Sequence, residues 1–166
     1  PRLVWRYCWQ APVSIIDVTS DANWAGCRRT RNSTSGGCAM LGKHCIKAWS
    51  KTQSIVAKSS GESELYGVIK GSSEALGLLT LAGDLGMELK TRVHVDATAA
   101  KGMVERRGIS RVRHNEVDHL WIQEQEARRM LPISKVDGGD NPADFMTKNV
   151  GIALAVKHMS TMGIRF

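Results

Sequence analysis

The hydrophobic pattern of the chain changes about a third of the way along it, and this change limits the possible folds more than any other feature. Before the change, short apolar segments at 13–18, 38–41 and 45–49 indicate β-strands. Gly42 and Lys43, between the last two segments, predict a tight hairpin turn. The three strands therefore predict an antiparallel meander at the start of the fold.

Beyond the meander the pattern is helical. Ser59 and Glu62 form a capping box, in which the serine accepts a hydrogen bond from the third helical amide and the glutamate reaches back to the cap. Apolar residues from Leu65 to Leu79 follow at helical spacing, and Gly86 is a natural end for the helix. A helix with one apolar face is therefore expected to pack on the sheet.

Strands and helices alternate in the remainder of the chain. Asp140 or Asn141 can cap a helix whose first residue is Pro142, where the missing N–H of proline costs nothing. This order of elements favours a mixed sheet with helices on its faces. The predicted strands lie at 92–95 and 131–136, and the predicted helices lie at 97–106, 114–128 and 152–162.

Composition narrows the class of protein. The chain has 166 residues and neither internal repeats nor a Pro/Gly linker, so one domain is expected. No apolar run reaches the roughly 20 residues that a membrane-spanning helix needs. The formal net charge of +7 favours a polyanionic partner, of which nucleic acid is the commonest. The four cysteines include no C-x-x-C pair, which counts against a zinc site. Since the sequence shows no secretory signal, reduced thiols in the cytosol or nucleus are expected.

Four acidic residues stand where they could take part in chemistry. Asp21 and Asp96 each follow a predicted strand, and ligand sites in open α/β sheets collect beyond strand ends. Glu64 borders the apolar face of the first helix and, unlike Glu62, has no capping role; Asp144 opens a later helix. Taken singly, each has a structural explanation as a turn residue or a first-turn acid. Clustered, they would repel one another unless they bound a divalent metal such as Mg²⁺.

Seven motifs in a fixed order give the chain a family resemblance. They are SDANWAG, RRTRNSTSGG, AWSKTQS, SSGESELYGVI, VHVDATAAKGM, RVRHNEVDHLWIQE and NPADFMTKNVG. Together they resemble the ribonuclease H domain that ends the polyprotein of copia-type LTR retrotransposons, over residues 14–155. The resemblance implies an α/β ribonuclease H-like fold: a five-stranded mixed sheet, with three antiparallel strands followed by parallel additions, flanked by helices. It implies that 1–166 is a single ribonuclease H domain, with 1–12 as a remnant of the preceding reverse transcriptase connection.

The same resemblance implies an activity, which is endonucleolytic hydrolysis of the RNA strand of RNA/DNA hybrids during retrotransposon reverse transcription. Motif by motif, it implies catalytic and metal-binding roles for Asp21, Glu64, Asp96 and Asp144. Two Mg²⁺ ions would act there, with Mn²⁺ as a substitute: Asp21 would bridge both, Glu64 and Asp96 would hold one, and Asp144 would hold the other. The implied partners are the hybrid and the reverse transcriptase domain of the same polyprotein, with no membrane and no small-molecule substrate. The expected location is a cytoplasmic retrotransposon particle or the nucleus, without secretion.

The resemblance also points to nucleic-acid contacts. Ser59 and Thr98 match positions that touch the backbone of the hybrid in related enzymes. The sequence departs from the family pattern in two places. Asn23 occupies the place of a second family aspartate. The loop before the last acid lacks the histidine that cellular enzymes carry there, although His114 or His119 could approach the site. Basic residues are the expected source of phosphate contacts, and they are Arg28, Arg29, Arg31, Lys101, Arg106, Arg107, Arg111 and Arg113.

Two other interpretations stay open. A DNA transposase or integrase of the same fold would use two aspartates and a glutamate from a later helix, whereas Glu64 on the first helix and Asp144 favour ribonuclease H. A catalytically decayed module would only bind nucleic acid or partner domains. The presence of all four acids counts against decay.

Overall fold

The computed structural model of the protein describes residues 2–96, 102, 104 and 116–165. Its strands are β1 (Val4–Trp5), β2 (Ile15–Asn23), β3 (Thr34–Leu41), β4 (His44–Thr52), β5 (Lys90–Val95), β6 (Ile133–Lys135) and β7 (Ile164–Arg165). The helices with described bounds are α1 (Ser60–Asp84), α2 (Glu116–Ala127), α3 (Asp144–Thr147) and α4 (Ile152–Thr161), and a 3₁₀ turn covers Gly138–Asp140. Within these residues, no helix combines the length and apolarity that crossing a membrane requires.

A five-stranded mixed sheet forms the centre of the described fold, with the strand order β4-β3-β2-β5-β6. β2, β3 and β4 pair in antiparallel fashion, and β5 and β6 extend the sheet in parallel with β2. The predicted α/β fold class is therefore confirmed. The hairpin turn between β3 and β4 is also confirmed, with Gly42 at a φ of +62° that glycine adopts without a steric penalty. β1 and β7 form a separate two-stranded sheet that the sequence did not predict.

The strands of the meander extend further than the hydrophobic pattern predicts. β2 continues to Asn23 and β3 begins at Thr34. Asp21 therefore lies inside a strand, opposite Gly36, and the prediction that it follows the strand was wrong. Pairing between β2 and β3 satisfies the backbone hydrogen bonds of this polar segment, so the strand does not need an apolar pattern there.

α1 begins and ends where its capping residues predict. The Ser59 hydroxyl accepts a hydrogen bond from the Glu62 amide at 3.2 Å, and Gly86 follows the helix at a φ of +74°. The Glu62 carboxylate accepts a hydrogen bond from the Lys58 amide at 2.8 Å, one residue before the cap, whereas the capping-box pattern predicts a bond from the cap itself. The role of Glu62 at the start of the helix is nevertheless the expected one.

The second half of the chain also follows the predicted order. α2 and α4 correspond to the helices expected at 114–128 and 152–162, and β6 is a shorter form of the strand expected at 131–136. Of the helix expected at 97–106, Gly102 and Val104 are helical, and the remaining residues lie outside the described ones.

The start of α3 differs from the prediction. The Asn141 side chain accepts a hydrogen bond from the Ala143 amide at 3.1 Å, as a capping residue would. However, α3 begins at Asp144 and not at Pro142. The side-chain amide of Asn141 also donates to the Ser20 carbonyl at 3.2 Å, and this second bond holds the segment in a turn against β2 before the helix starts.

Apolar side chains cover both faces of the sheet. On one face, Val18 of β2 packs with Leu65 of α1 and Ile122 of α2 in the larger core cluster. On the opposite face, Cys38 of β3 packs with Met159 of α4 in a second cluster. Because side chains alternate along a strand, β3 contributes Ala39 to the first cluster and Cys38 to the second, and β2 packs beside it with Val18 in the first.

Candidate active site

Three of the four predicted carboxylates converge at one edge of the sheet. Asp21 of β2, Glu64 of α1 and Asp96, the residue after β5, each place an oxygen within 4.8 Å of the others. β2 and β5 are parallel neighbours, so Asp21 and Asp96 project from the same edge. Asp21 is 1% exposed, whereas Glu64 and Asp96 are half-buried.

A glycine allows the third carboxylate to reach the other two. α1 lies so close to β2 that a Cβ on Gly67 would be 3.2 Å from the Asp21 carbonyl oxygen. Glu64 precedes Gly67 by three positions, so it lies on the same side of the helix, above the strand. Glu62 points elsewhere, into the hydrogen bond with the Lys58 amide.

The carboxylates of the triad of Asp21, Glu64 and Asp96 crowd one another. Burial, together with the nearby Asp21 and Asp96 carboxylates, raises the pKa of Glu64 to about 8. Burial also raises the pKa of Asp21 to about 6, against the opposing effects of Thr147 and Lys148. Crowded carboxylate oxygens of this kind are the ligands that hard divalent cations prefer. The donor set therefore fits a Mg²⁺ or Mn²⁺ ion.

Asp144 lies next to the triad but is not among the three carboxylates that converge. The Lys148 ammonium lies 2.9 Å from Asp144 Oδ1 and 3.1 Å from Asp21 Oδ1, and so joins the two acids. Although burial lowers the pKa of Lys148, the hydrogen bond to Asp144 and the charge of Asp21 raise it above its ordinary value. The Thr147 hydroxyl donates to the other oxygen of Asp21. The end of the short helix α3 and the residue that follows it thus supply a hydroxyl and a cation to Asp21.

Neighbouring residues fix α3 against the sheet beside Asp21. Asn141 is fully buried and bonds to the carbonyl of Ser20, the residue before Asp21. Asn23 donates to the Thr147 carbonyl at 3.2 Å, a bond that the aspartate usual at this family position could not donate. Gly36 lies opposite Asp21, and a Cβ there would be 2.6 Å from Thr147 Cγ2. Close approach of α3 therefore depends on a glycine in β3.

Lys148 is the main residue of the site that sequence reasoning missed. Its i, i+4 spacing from Asp144 on the NPADFMTK motif is a signal that could have revealed the ion pair between them. The contact with Asp21 had no local signal, because the two residues are 127 positions apart. Gly36 and Thr147 were missed for the same reason.

The structure describes only some of the predicted nucleic-acid contacts. Arg28 and Arg31 are exposed in the loop that joins β2 and β3. Ser59 is exposed, and its hydroxyl already accepts the bond that caps α1. The predicted contacts that lie outside the described residues are Thr98, Lys101, Arg106, Arg107, Arg111 and Arg113, together with His114 and the side chain of His119.

Relatives of the chain are polyproteins of transposons. No known family model matches it. It is 32% identical over 153 residues to the retrovirus-related Pol polyprotein from transposon RE1 of Arabidopsis thaliana, and the alignment covers 90% of this chain and 10% of that protein. It is 33% identical over 136 residues to the corresponding polyprotein from transposon RE2 of the same plant, covering 80% of this chain and 9% of that protein. The chain thus spans about a tenth of the length of these curated relatives.

Solved structures decide the fold. LC11-RNase H1, isolated from compost by a metagenomic approach, superposes with a TM-score of 0.62 at 14% identity, covering 81% of this chain and 94% of that one. The fold is that of ribonuclease H. The complex of LC11-RNase H1 with an RNA/DNA hybrid gives a TM-score of 0.55 at 14% identity, covering 80% of this chain and 93% of that one. The Pol relatives and the ribonuclease H neighbours confirm the resemblance to the ribonuclease H domain of a copia-type polyprotein.

Proposed function

We propose that the chain is a metal-dependent ribonuclease H that cuts the RNA strand of RNA/DNA hybrids during reverse transcription of a retrotransposon. The observation that carries this proposal is the convergence of the Asp21, Glu64 and Asp96 carboxylates within 4.8 Å. The similarity to LC11-RNase H1, which binds an RNA/DNA hybrid, supports the choice of substrate. The relatives, which are Pol polyproteins, support the retrotransposon setting and a reverse transcriptase domain as partner.

The proposed activity needs divalent cations, and the chain offers two groups of ligands. Asp21, Glu64 and Asp96 would hold one ion, and Asp21 with Asp144 would hold the other, with Mg²⁺ as the expected ion and Mn²⁺ as a substitute. Such ions lower the pKa of an attacking water and stabilise the leaving 3′ oxygen. Thr147 of α3 and the following Lys148 hold Asp21 in place, because Thr147 bonds to one oxygen of Asp21 and Lys148 to the other.

Contacts to the hybrid are proposed for exposed basic residues on the loop between β2 and β3. Arg28 and Arg31 lie on the loop that follows the strand of Asp21. The net charge of +7 suits a polyanion, and phosphate contacts carry no base information. Little preference for base sequence is therefore expected, because hybrids are recognised by groove shape and 2′-hydroxyls.

A cleavage assay tests the proposal. The chain is incubated with a hybrid whose RNA strand is labelled, with Mg²⁺, with Mn²⁺ or with a chelator. We expect RNA cleavage with either ion, none with the chelator, and no cleavage of the DNA strand. Absence of RNA cleavage with both ions would refute the proposed activity.

Two glutamates of α1 provide a matched pair for the same assay. Glu64→Gln should abolish cleavage, because it removes one carboxylate of the triad. Glu62→Gln should leave cleavage near the wild-type rate, since the side-chain oxygen of glutamine can also accept the hydrogen bond from the Lys58 amide. The opposite result would exchange the roles of the two glutamates.

A second candidate function is hybrid binding without cleavage. The ion pairs of Lys148 with Asp21 and Asp144 favour it, because an ammonium ion already neutralises carboxylates that catalysis would use for a metal. Measurable binding of the RNA/DNA hybrid by the wild-type chain, without RNA cleavage in the presence of Mg²⁺ or Mn²⁺, would support this alternative.

A further inference from the structure

Lys148 lies between two acids that come from distant parts of the chain. Its Nζ is 3.1 Å from Asp21 Oδ1 and 2.9 Å from Asp144 Oδ1. The Asp21 side chain is fully buried and that of Asp144 is 15% exposed, whereas the Lys148 side chain is 38% exposed. The ammonium therefore reaches inward from a partly solvated stem, with room for the stem to move outward.

The electrostatic reason for this arrangement follows from the two acids. Asp21 and Asp144 approach the same ammonium, and without a cation between them their charges would repel across a poorly solvated space. A buried charge left without a partner is strongly destabilising. Lysine supplies a compact cation on a flexible stem, so it can fill the place of a bound ion and also leave it.

We propose that Lys148 is a positioning residue that serves as a built-in counter-ion for Asp21 and Asp144 and competes with a divalent ion for these two carboxylates. The inference rests on the proposed function in naming a divalent ion as the competitor. Lys148 forms its ion pairs with Asp21 and Asp144 and acts on Glu64 only through its charge, so an ion at the triad does not require the ammonium to leave both of its partners. Ions should therefore bind to the triad first, and the second ion should bind only as the ammonium withdraws.

Titration calorimetry with Mg²⁺ and with Mn²⁺ tests the competition without reference to cleavage. The wild-type chain is compared with Lys148→Met and with Lys157→Met, a matched control whose ammonium pairs with Asp140 and the Gly139 carbonyl. We expect the weaker ion-binding step to tighten about tenfold in Lys148→Met, which corresponds to the removal of one competing ion pair. Lys157→Met should bind ions as the wild type does. Lys148→Arg keeps the positive charge, so its second ion should bind as weakly as in the wild type and not with the higher affinity expected of Lys148→Met.

A metal-free measurement tests the counter-ion role separately. In chelator, Lys148→Met should unfold at a lower urea concentration than Lys157→Met, and adding Asp144→Asn to Lys148→Met should recover part of the loss. Lys148→Gln, which can still hydrogen-bond to both acids, serves where Lys148→Met does not fold, and the same gain in ion affinity is expected of it. A merely structural lysine would lower stability without changing ion affinity.

The outcomes separate this inference from the proposed function. Equal ion affinities in Lys148→Met, Lys148→Gln and the control overturn the competition, as does a failure of every variant to bind either ion. Normal ion binding, with the expected gain in Lys148→Met but no RNA cleavage by the wild type, supports the inference and refutes the proposed nuclease activity.

Discussion

At the scale of single residues, the proton on Glu64 should govern how the metal-free protein responds to pH. The pKa of Glu64 rises from 4.5 to about 8 because of burial and the charges of Asp21 and Asp96. Between these values the folded protein holds a proton that the unfolded chain releases. The contribution of Glu64 to stability is therefore fully present below pH 4.5 and is lost as pH rises through about 8.

Urea unfolding in chelator across this pH range measures the effect. The wild type should lose stability relative to Glu64→Gln as pH rises, since glutamine does not titrate. The comparison with the variant is needed because buried His158, whose pKa is lowered from 6.5, acts in the opposite direction as pH falls. A wild type and variant with parallel pH profiles would contradict the raised pKa of Glu64.

At the scale of elements, the approach of α3 to β3 should depend on Gly36. An alanine Cβ at this position would lie 2.6 Å from Thr147 Cγ2 and 2.7 Å from Met146 Cβ, so α3 would have to move away from Asp21. We expect Gly36→Ala to destabilise the protein by about 1–3 kcal/mol, as overpacking does. Cleavage should fall further than stability alone explains, because Thr147 and Lys148 move with α3.

Gly77→Ala provides the control for this prediction. Gly77 lies on the exposed side of α1, and an added Cβ would meet nothing within 4 Å. Alanine there should stabilise the helix by roughly 0.5–1 kcal/mol and leave cleavage unchanged. Unfolding curves and initial rates of hybrid cleavage check both variants, and equal behaviour of the two would argue against a role for Gly36 in seating α3.

The same elements explain how far the sequence could predict the molecule. α1 and the β3–β4 hairpin were predictable because their caps and turn are local: Ser59 caps its own helix, and Gly42 makes its own turn. The extension of β2 through Asp21 could not be predicted, because it depends on pairing with β3, which has no apolar pattern in that segment. The ion pair between Asp21 and Lys148 could not be predicted from local sequence either, since only the packing of α3 on the sheet brings the two residues together.

At the scale of the whole molecule, the distribution of charge complements the position of the acids. The triad is negative and partly buried, whereas the chain as a whole carries a net charge of +7. Exposed Arg28 and Arg31 lie on the loop that follows the strand of Asp21 and supply part of the positive charge at the surface. In the proposed function, the surface would attract the polyanion and the acids would hold the cations that cleavage needs.

Salt dependence of hybrid binding tests this division of roles. Each phosphate contact contributes a slope of about −0.9 to the logarithm of affinity against the logarithm of salt concentration for duplex DNA, and a similar order is expected for a hybrid. If Arg28 and Arg31 each contact a phosphate, Arg28→Gln and Arg31→Gln should each make the slope shallower by about 0.9, equally for hybrids of different sequence. Arg165→Gln, on the separate β1–β7 sheet, removes the same charge elsewhere and should leave the slope unchanged.

Fluorescence anisotropy with a labelled hybrid in chelator measures binding without cleavage. Slopes that shift equally in all three variants would mean that net charge alone, and not the loop beside Asp21, determines affinity.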